Sequence, residues 1–426
     1  MIKLKYLVNL KNMINIKNII IAATGLILTI YLLIWYWQTE TPEWHKELGY
    51  RWAKLPDLPS GRPGFRLLPS SETKITFSNS LTPDQIGDNR FLLGGSGVAT
   101  GDVDGDGLVD VYFCSLDGSN VLYKNLGHWK FRDITQRAGV ACLNRFSTGA
   151  SFVDIDGDYD LDLLVTALGG PNTLFINDGT GKFTEATRSA GLESSGGSTS
   201  MAFSDIDGDG DLDLYITNFK KKSVENIYPA QERAQHRVTK KVGNTFEVQP
   251  KFKEHYRVEM IGEQPFLFEN AEPDFLYLND GKGHFNLTSF TDGRFLDDEG
   301  KPVSELKDWG LLVRFQDMDN DGDPDIYVCN DFWSPDRIWI NDGTGRFQAI
   351  SKLSIRHTSK FTMGVDFSDI DRDGDLDFLL MDMLPQEHGR RLKQMGMGIS
   401  DFPPTGIGQI GNRPQIKRNT LFMNRG

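Results

Sequence analysis

The chain has 426 residues and a net charge of −13, with 59 acidic against 46 basic residues and 44 glycines. This length is ample for a large core, and the glycines suit many tight turns. The acidic balance argues against the basic footprint that nucleic-acid binding needs, so nucleic acid is not expected as a partner. Three cysteines are too few for a disulfide framework, and Cys114, Cys142 and Cys329 are interpreted as small buried thiols.

The N-terminus predicts a membrane anchor. Residues 1–18 carry lysines and no acidic residue, and residues 19–37 form an uncharged apolar run. That run is close to the ~20 residues with which a helix spans a bilayer. The positive-inside rule places residues 1–18 in the cytoplasm and the rest of the chain in the periplasm or outside the cell. No small-residue cleavage pattern follows, so an uncleaved signal anchor is predicted, with residues 38–72 as a linker.

Five copies of an acidic loop dominate the rest of the chain. Each copy has aspartates at loop positions 1, 3, 5 and 9, and the five sets are Asp102, Asp104, Asp106, Asp110; Asp154, Asp156, Asp158, Asp162; Asp205, Asp207, Asp209, Asp213; Asp317, Asp319, Asp321, Asp325; and Asp369, Asp371, Asp373, Asp377. Carboxylates crowded into one turn favour a cation, and hard oxygen ligands in a flexible loop suit Ca²⁺ better than Mg²⁺. The sequence predicts about five calcium sites, with a solvated acidic turn as the alternative for each loop.

The residues around each loop indicate strands. The start of the loop, D-x-D-x-D-G, resembles an EF-hand loop, but no glutamate occupies position 12 and no helix pattern follows. Short apolar and β-branched runs flank each loop instead, as Met201-Ala202-Phe203 and Leu212–Ile216 do for the third loop. Each loop is therefore predicted to close a β-hairpin.

The loops recur with a period of 51 or 52 residues between Asp102, Asp154 and Asp205, and again between Asp317 and Asp369. A second signature tracks them, ending in asparagine at Asn125, Asn177, Asn279, Asn341 and Asn424. A further strand follows each Asn-Asp-Gly turn, which makes four strands per period. This is typical of an all-β fold, a β-propeller of four-stranded blades, over residues 73–426.

Two insertions and an incomplete end interrupt the period. Extra residues lie near 220–274 and 385–419, and the chain ends inside a repeat at residues 424–426. About five to six blades are expected here and seven in the complete protein. The segment Lys74–Phe77 resembles an outer strand and is expected to belong to a further blade.

Asp-x-Asp-x-Asp-Gly hairpins in such a period resemble FG-GAP/VCBS repeats. Longer strings resemble the cartilage acidic protein/ASPIC–UnbV family, namely Gly95–Asp102, Asp308–Leu311, Cys329–Phe332, His357–Ser359, Met363–Phe367 and Arg418–Leu421. The resemblance covers residues 73–426 and implies a calcium-binding propeller followed, in the family, by a C-terminal ASPIC/UnbV domain that is absent here.

Two function classes are compatible with these features. The first is a non-catalytic binding or adhesion module, anchored through residues 19–37, that engages a glycan or protein outside the cytoplasm. The alternative is an enzyme such as a calcium-dependent polysaccharide lyase, which needs an acid and a base beside the metal. No such constellation is visible. His357 beside Thr358 and Ser359 is better explained as a polar group of a turn or strand, and His388 with Arg390 and Arg391 and the lysines at 220–222 and 240–241 are better explained as solvated groups. Trp333 is compatible both with a sugar-stacking platform and with local packing. A binding module is therefore predicted.

Overall fold

The computed structural model of the chain describes residues 44–47, 50–53, 64–261, 264–304, 306–332, 334–383, 387, 389–390 and 414–426. The chain divides into two bodies, Met1–Leu67 and Leu68–Gly426. In the first body, β1 (Trp44–Glu47) pairs antiparallel with β2 (Tyr50–Ala53). The predicted anchor at 19–37 lies outside the described residues. Within the described part, no helix has the length and hydrophobicity that a membrane crossing requires.

The second body contains five repeats, each built around one acidic loop. Repeat one comprises β3 (Val98–Gly101), β4 (Asp110–Phe113), β5 (Val121–Asn125) and β6 (Phe131–Asp133). Repeat two comprises β7 (Ser147–Val153), β8 (Asp162–Pro171), β9 (Thr173–Asn177) and β10 (Phe183–Glu185). Repeat three starts with β11 (Ser195–Ser204) and β12 (Asp213–Asn218).

An insertion of two hairpins then separates β12 from the third strand of its repeat. The hairpins are β13 (Thr239–Val242) with β14 (Thr245–Val248), and β15 (Tyr256–Ile261) with β16 (Gln264–Glu269). They share a core of Val224, Val238, Val248, Phe252 and Tyr256. Repeat three resumes with β17 (Phe275–Leu278) and β18 (Asn286–Leu287). The insertion is therefore a small folded unit within the repeat, with an apolar core of its own.

The remaining strands follow the same plan. After β19 (Phe295–Leu296), repeat four comprises β20 (Gly310–Gln316), β21 (Asp325–Asn330), β22 (Arg337–Asn341) and β23 (Phe347–Ala349). After β24 (Thr358–Ser359), repeat five comprises β25 (Thr362–Ser368), β26 (Asp377–Asp382) and β28 (Thr420–Phe422), with β27 (Gln415–Ile416) parallel to β24. Short helical segments lie at Ser70–Thr73, Pro83–Asp88, Arg90–Gly94, Thr135–Ala138, Val224–Ile227, Gln235–Val238 and Pro250–Phe252.

The order of strands in each repeat is that of a propeller blade. Neighbouring strands pair antiparallel, as in β3-β4-β5-β6, and the acidic loop joins the first two strands in every repeat. The first strands of successive repeats contact one another, β3 with β7, β7 with β11, β11 with β20 and β20 with β25. The all-β prediction is confirmed, and this arrangement fits a β-propeller.

Apolar cores lie between repeats, because the second strands are buried on both faces. On β21, Ile326 and Val328 pack against repeat three, whereas Tyr327 and Cys329 pack against repeat five. Alternation of side chains along a strand produces this division. The three cysteines are free and buried in these cores, as predicted.

The segment Lys74–Phe77 differs from its prediction. It pairs with no strand among the described residues, although the Thr76 amide donates to the Tyr123 hydroxyl at 3.1 Å and Phe77 stacks on Phe113 at 5.0 Å between centroids. Side-chain contacts hold this segment to the first repeat. A strand-like composition alone does not show whether a segment is held by such contacts or by backbone pairing with a strand.

In each repeat, one side-chain hydrogen bond holds the turn between the second and third strands. In repeat four, Asp336 Oδ1 accepts the Asn330 amide at 2.9 Å. The same bond recurs with one Asn or Asp in each repeat, at Asn120, Asn172, Asp274 and Asn419. The end of each repeat remote from its acidic loop is therefore fixed by a single short polar side chain.

The signature asparagines link one repeat to the one before it. Asn341 Nδ2 donates to the Ile206 carbonyl, inside the acidic loop of repeat three, at 2.9 Å. Asn177, Asn279 and Asn424 make the same bond to the loop of the preceding repeat, at 2.9 to 3.0 Å. Because these amides and carbonyls are buried or half-buried, each bond replaces water at a repeat junction.

Replacement of Asn341 by alanine is expected to lower the free energy of unfolding by about 2 kcal/mol, since a buried carbonyl loses its donor. Asn125→Ala is the matched control, because Asn125 bonds only within its own repeat, to Val109 and Gly127. Urea unfolding of both variants measures the difference. Equal losses would contradict a stabilising role for the junction bond.

The buried Asp336 generates a pH dependence. Burial raises the pKa of Asp336 to about 7, above the ~3.9 expected for an aspartate in the unfolded chain. The folded chain then binds more protons between these values, so this group's contribution to stability falls as pH rises from about 4 to 7.

Asp336→Asn is expected to remove that fall. Its unfolding free energy, relative to the parent's, should increase between pH 5 and pH 8 in urea titrations with calcium present. The reciprocal change Asn172→Asp should introduce a fall of the same sign, since Asn172 Oδ1 accepts the Ala167 amide at 3.0 Å in the equivalent place. Parallel pH profiles for all three proteins would contradict this assignment.

Candidate metal centres

The aspartate at loop position 9 is the structural member of each set. Asp213 is 1 % exposed; its Oδ2 accepts the Ile206 amide at 3.1 Å and its Oδ1 accepts the Asn279 amide at 2.9 Å. Both bonds recur at Asp110, Asp162, Asp325 and Asp377. One carboxylate therefore joins the loop, the second strand and the third strand of each repeat.

The aspartate at position 1 shapes the loop. Asp205 accepts the Gly208 and Gly210 amides at 2.8 and 3.0 Å, one on each oxygen. The backbone has positive φ at positions 4 and 6 in every loop, including non-glycine residues Asn320 (63°), Arg372 (62°) and Tyr159 (73°). Tyr159 keeps the glycine-like conformation with its side chain in solvent, 97 % exposed. The second loop thus has the shape of the others, at some cost in backbone strain.

Position 3 completes a cluster of carboxylates. In each loop, ligand oxygens from positions 1, 3 and 9 lie within 4.8 Å of one another, in the groups Asp102, Asp104, Asp110; Asp154, Asp156, Asp162; Asp205, Asp207, Asp213; Asp317, Asp319, Asp325; and Asp369, Asp371, Asp377. The structure therefore brings three of the four predicted residues together in all five loops.

The aspartate at position 5 lies outside these groups. Its Oδ1 accepts the amide of position 7 in every loop, as Asp321 does from Asp323 at 2.9 Å. The other members are Asp106, Asp158, Asp209 and Asp373. This residue closes the tip of the loop.

A further carboxylate at position 7 was not predicted. Four loops carry one, at Asp160, Asp211, Asp323 and Asp375, whereas the first loop has Leu108. The glycine of the Asn-Asp-Gly turn makes room for it, since a Cβ on Gly281 would lie 3.2 Å from Asp211 Oδ2. The sequence shows an aspartate at position 7 in every loop but the first. The EF-hand pattern D-x-D-x-D-G does not include this position.

Several of these oxygens are buried without any hydrogen-bond partner. They are Oδ1 of Asp104, Asp156, Asp160, Asp207, Asp211, Asp317 and Asp371. A buried carboxylate oxygen without a donor is costly. An all-oxygen set of this kind fits a hard divalent cation of the calcium type.

The electrostatics agree with that fit. Burial raises the pKa of Asp162, Asp213 and Asp325 to about 7. Burial and the neighbouring loop carboxylates raise the pKa of Asp160 and Asp211 to about 6. In the second, third and fourth loops the charged form of these carboxylates is therefore disfavoured, and a bound cation would stabilise it.

Each of the first four loops contacts the next repeat. A Cβ on Gly345, in the turn after β22, would lie 3.2 Å from Asp207 Cβ in the loop of repeat three. Gly181 and Gly283 face Asp104 and Asp156 in the same way, at 3.4 and 3.5 Å. The clusters of these four loops therefore lie at junctions between repeats, beside the asparagine bonds.

Two loops already contact a basic side chain. Lys124 Nζ contacts Asp104 Oδ2 and lies 2.8 Å from Asp106 Oδ2 in the first loop. Arg425 Nη1 lies 3.0 Å from Asp371 Oδ2 in the fifth loop, but this arginine is 69 % exposed.

Among the residues that the structure describes, the other candidates from the sequence form no reactive pair. Ser359 Oγ donates to Asp382 Oδ2 at 2.5 Å, whereas His357 Nε2 faces Arg418 Nη2 at 3.3 Å. Lys220 is 4 % exposed and bonds the Asn270 carbonyl at 2.6 Å and Glu269 Oε1 at 2.9 Å, so it is not available to an acidic ligand. Trp333, His388 and Arg391 lie outside the described residues.

Comparison with known proteins places the loops in a repeat family. Residues 102–165, 154–216 and 317–380 match the FG-GAP-like repeat, and these stretches include all five loops. The chain therefore carries FG-GAP-like repeats. Cartilage acidic protein 1 of Xenopus tropicalis is 26 % identical over 138 residues, which cover 32 % of this chain and 21 % of that protein. The match thus spans about a fifth of the relative's length.

Solved structures overlap only loosely. An Agrocybe aegerita lectin, described for recognition of non-reducing terminal N-acetylglucosamine, is 16 % identical over 58 % of this chain and 63 % of its own, with a TM-score of 0.23. The V. cholerae biofilm matrix protein Bap1 is 14 % identical over 64 % of this chain and 40 % of its own, with a TM-score of 0.28. Overlap at these TM-scores carries no conclusion.

The geometry separates a ligand role from a structural role. Asp207→Asn is expected to lower the calcium-dependent part of stability by about 1.4 kcal/mol, equivalent to a tenfold weaker site. In chelator it should be as stable as the parent or more stable, because it removes one charge from a crowded cluster. Asp213→Asn should already lose about 1–3 kcal/mol in chelator, since one backbone amide loses its acceptor, and more in calcium, since the cluster also loses an oxygen.

Melting curves of both variants with Ca²⁺ and with excess chelator provide the measurement. If the Asp207 variant lost equal stability in the two conditions, position 3 would be structural rather than a ligand.

Proposed function

We propose that this chain is a membrane-anchored, extracytoplasmic β-propeller that binds Ca²⁺ in its acidic loops and binds a glycan or protein without catalysis. The calcium assignment is carried by the carboxylates grouped in threes in all five loops, where every loop also has at least one buried oxygen without a donor. In this proposal calcium stiffens a binding scaffold and takes no part in catalysis.

The insertions support one face as the binding surface. The acidic loops join first and second strands, whereas the insertions between β12 and β17 and between β26 and β28 both join second and third strands. Successive turns of an antiparallel sheet lie at opposite ends, so both insertions leave from the end remote from the acidic loops. Long insertions at one end of a repeat array often form its binding face.

Aromatic packing holds the larger insertion at the end of the repeats that is remote from the acidic loops. Phe219, at its start, contacts Trp309 at 4.7 Å between ring centroids, and Trp309 contacts Phe332 at 5.1 Å. Arg90 also pairs with Glu225 at 2.5 Å and Asn226 Nδ2 donates to the Gly87 carbonyl at 2.6 Å. A surface held this firmly loses little conformational entropy when it binds a ligand.

The anchor and the family complete the proposal. The uncharged run at 19–37 and the lysines before it support a cytoplasmic N-terminus and an extracytoplasmic propeller. Assignment to the cartilage acidic protein/ASPIC–UnbV family is supported by the FG-GAP-like repeats and by the partial match to the Xenopus tropicalis protein.

The full-length protein in detergent is expected to melt at a clearly higher temperature in millimolar Ca²⁺ than in chelator. Occupation of one site at a hundred times its dissociation constant contributes about 2.7 kcal/mol. Mg²⁺ at equal concentration is the control and should produce a smaller rise, because it prefers fewer protein ligands. An unchanged midpoint in a folded sample would overturn the calcium assignment.

Binding itself requires a separate measurement. The calcium-loaded protein should retain acidic glycans or extracellular proteins on an array, and charge reversal on the insertion, Lys221→Glu with Lys241→Glu, should reduce that retention. Lys130→Glu, on an exposed residue near the acidic loops, is the matched control. Release of unsaturated product from an acidic polysaccharide would identify a lyase and overturn the non-catalytic assignment.

A further inference from the structure

The first loop differs from the other four at two places. At position 7 it has Leu108 where the others have Asp160, Asp211, Asp323 and Asp375. Before its signature asparagine it has Lys124, where the other repeats have the apolar residues Ile176, Leu278, Ile340 and Met423. The first loop has therefore lost one carboxylate and gained one ammonium group.

The lysine lies against the same loop that lacks the fifth carboxylate. Lys124 extends from β5 onto the loop of its own repeat, where its Nζ contacts Asp104 Oδ2 and lies 2.8 Å from Asp106 Oδ2. The lysine and Asp104 side chains are only 18 % and 19 % exposed. This differs from the fifth loop, where Arg425 reaches the carboxylates from solvent at 69 % exposure.

The charges of the loops differ accordingly. The second loop has five aspartates at 154, 156, 158, 160 and 162, with Oδ1 of both Asp156 and Asp160 buried and unpartnered. The first loop has four aspartates, and Lys124 of β5 lies against it. Its unpartnered oxygen is Asp104 Oδ1, and the other oxygen of that carboxylate contacts the ammonium.

We propose that Lys124 is a built-in counter-ion of the first loop, so that this loop is closed without metal while the other four bind Ca²⁺. A Ca²⁺ ion binds carboxylate oxygens at about 2.3–2.6 Å. On Asp104 it would lie beside the ammonium that contacts the same carboxylate, and the two cations would repel each other. Lysine and calcium are alternatives at this position, and the first repeat keeps its loop closed when calcium is scarce.

This inference rests on the proposed calcium binding and refines its stoichiometry. The test uses the full-length protein in detergent, stripped of metal and titrated with Ca²⁺ by calorimetry. The parent is expected to bind four ions. Lys124→Ile, which installs the residue that repeats two and four have at this position, is expected to bind five and to melt at a lower temperature than the parent in chelator but not in calcium. Lys130→Ile is the matched control and should bind four.

The outcomes separate the two assignments. A parent that binds no calcium overturns the proposed function and the inference together. A parent that binds five ions, or a Lys124→Ile variant that binds no more than the parent, overturns the inference and leaves calcium binding intact.

A second pair of variants decides the matter if Lys124→Ile does not fold. Asp104→Asn is expected to leave the stoichiometry at four, whereas the equivalent Asp156→Asn in the second loop should remove or weaken one site. Loss of one site in both variants would show that the first loop binds calcium as the second does, and would overturn the inference.

Discussion

The structure depends on one carboxylate per repeat, at the ninth position of the acidic loop. It is almost completely buried, and each of its two oxygens accepts a backbone amide, one from the loop and one from the third strand. A buried anion is costly unless it is fully hydrogen-bonded. The same group that provides an oxygen to the cluster therefore also sets the register of three strands, and the loop cannot be rearranged without disturbing the sheet.

At the junctions between repeats, too, single residues serve both the packing of the repeats and the acidic loop. The asparagine that follows the third strand bonds the preceding acidic loop, and the glycine turn after it packs on the aspartate at position 3 of that loop. Apolar cores lie across the same junctions. Sheet register, repeat packing and the carboxylate clusters are consequently parts of one construction.

Much of this was visible in the sequence, and the reasons for the omissions are physical. The acidic hairpins, the four-strand period and the position of the larger insertion follow from local patterns, which a sequence expresses directly. The partners of the signature asparagines do not, because Asn341 and Ile206 are 135 residues apart. The Asn or Asp clamp before each third strand was missed because one polar residue beside a strand resembles ordinary turn chemistry. Lys124 appears in the sequence as one more charged residue in an exposed strand, and only the fold places it 2.8 Å from an oxygen of Asp106.

The bonds that the signature asparagines make between repeats share one direction along the chain. Each of the first four loops accepts a bond from the asparagine of the repeat that follows it, and the first three also contact the glycine turn of that repeat. Local unfolding of one repeat would therefore uncover the acidic loop of its N-terminal neighbour while leaving its own C-terminal neighbour's loop covered. In a linear array with nearest-neighbour coupling, this makes cooperativity polar. Unfolding of one repeat therefore affects first the acidic loop of the repeat that precedes it.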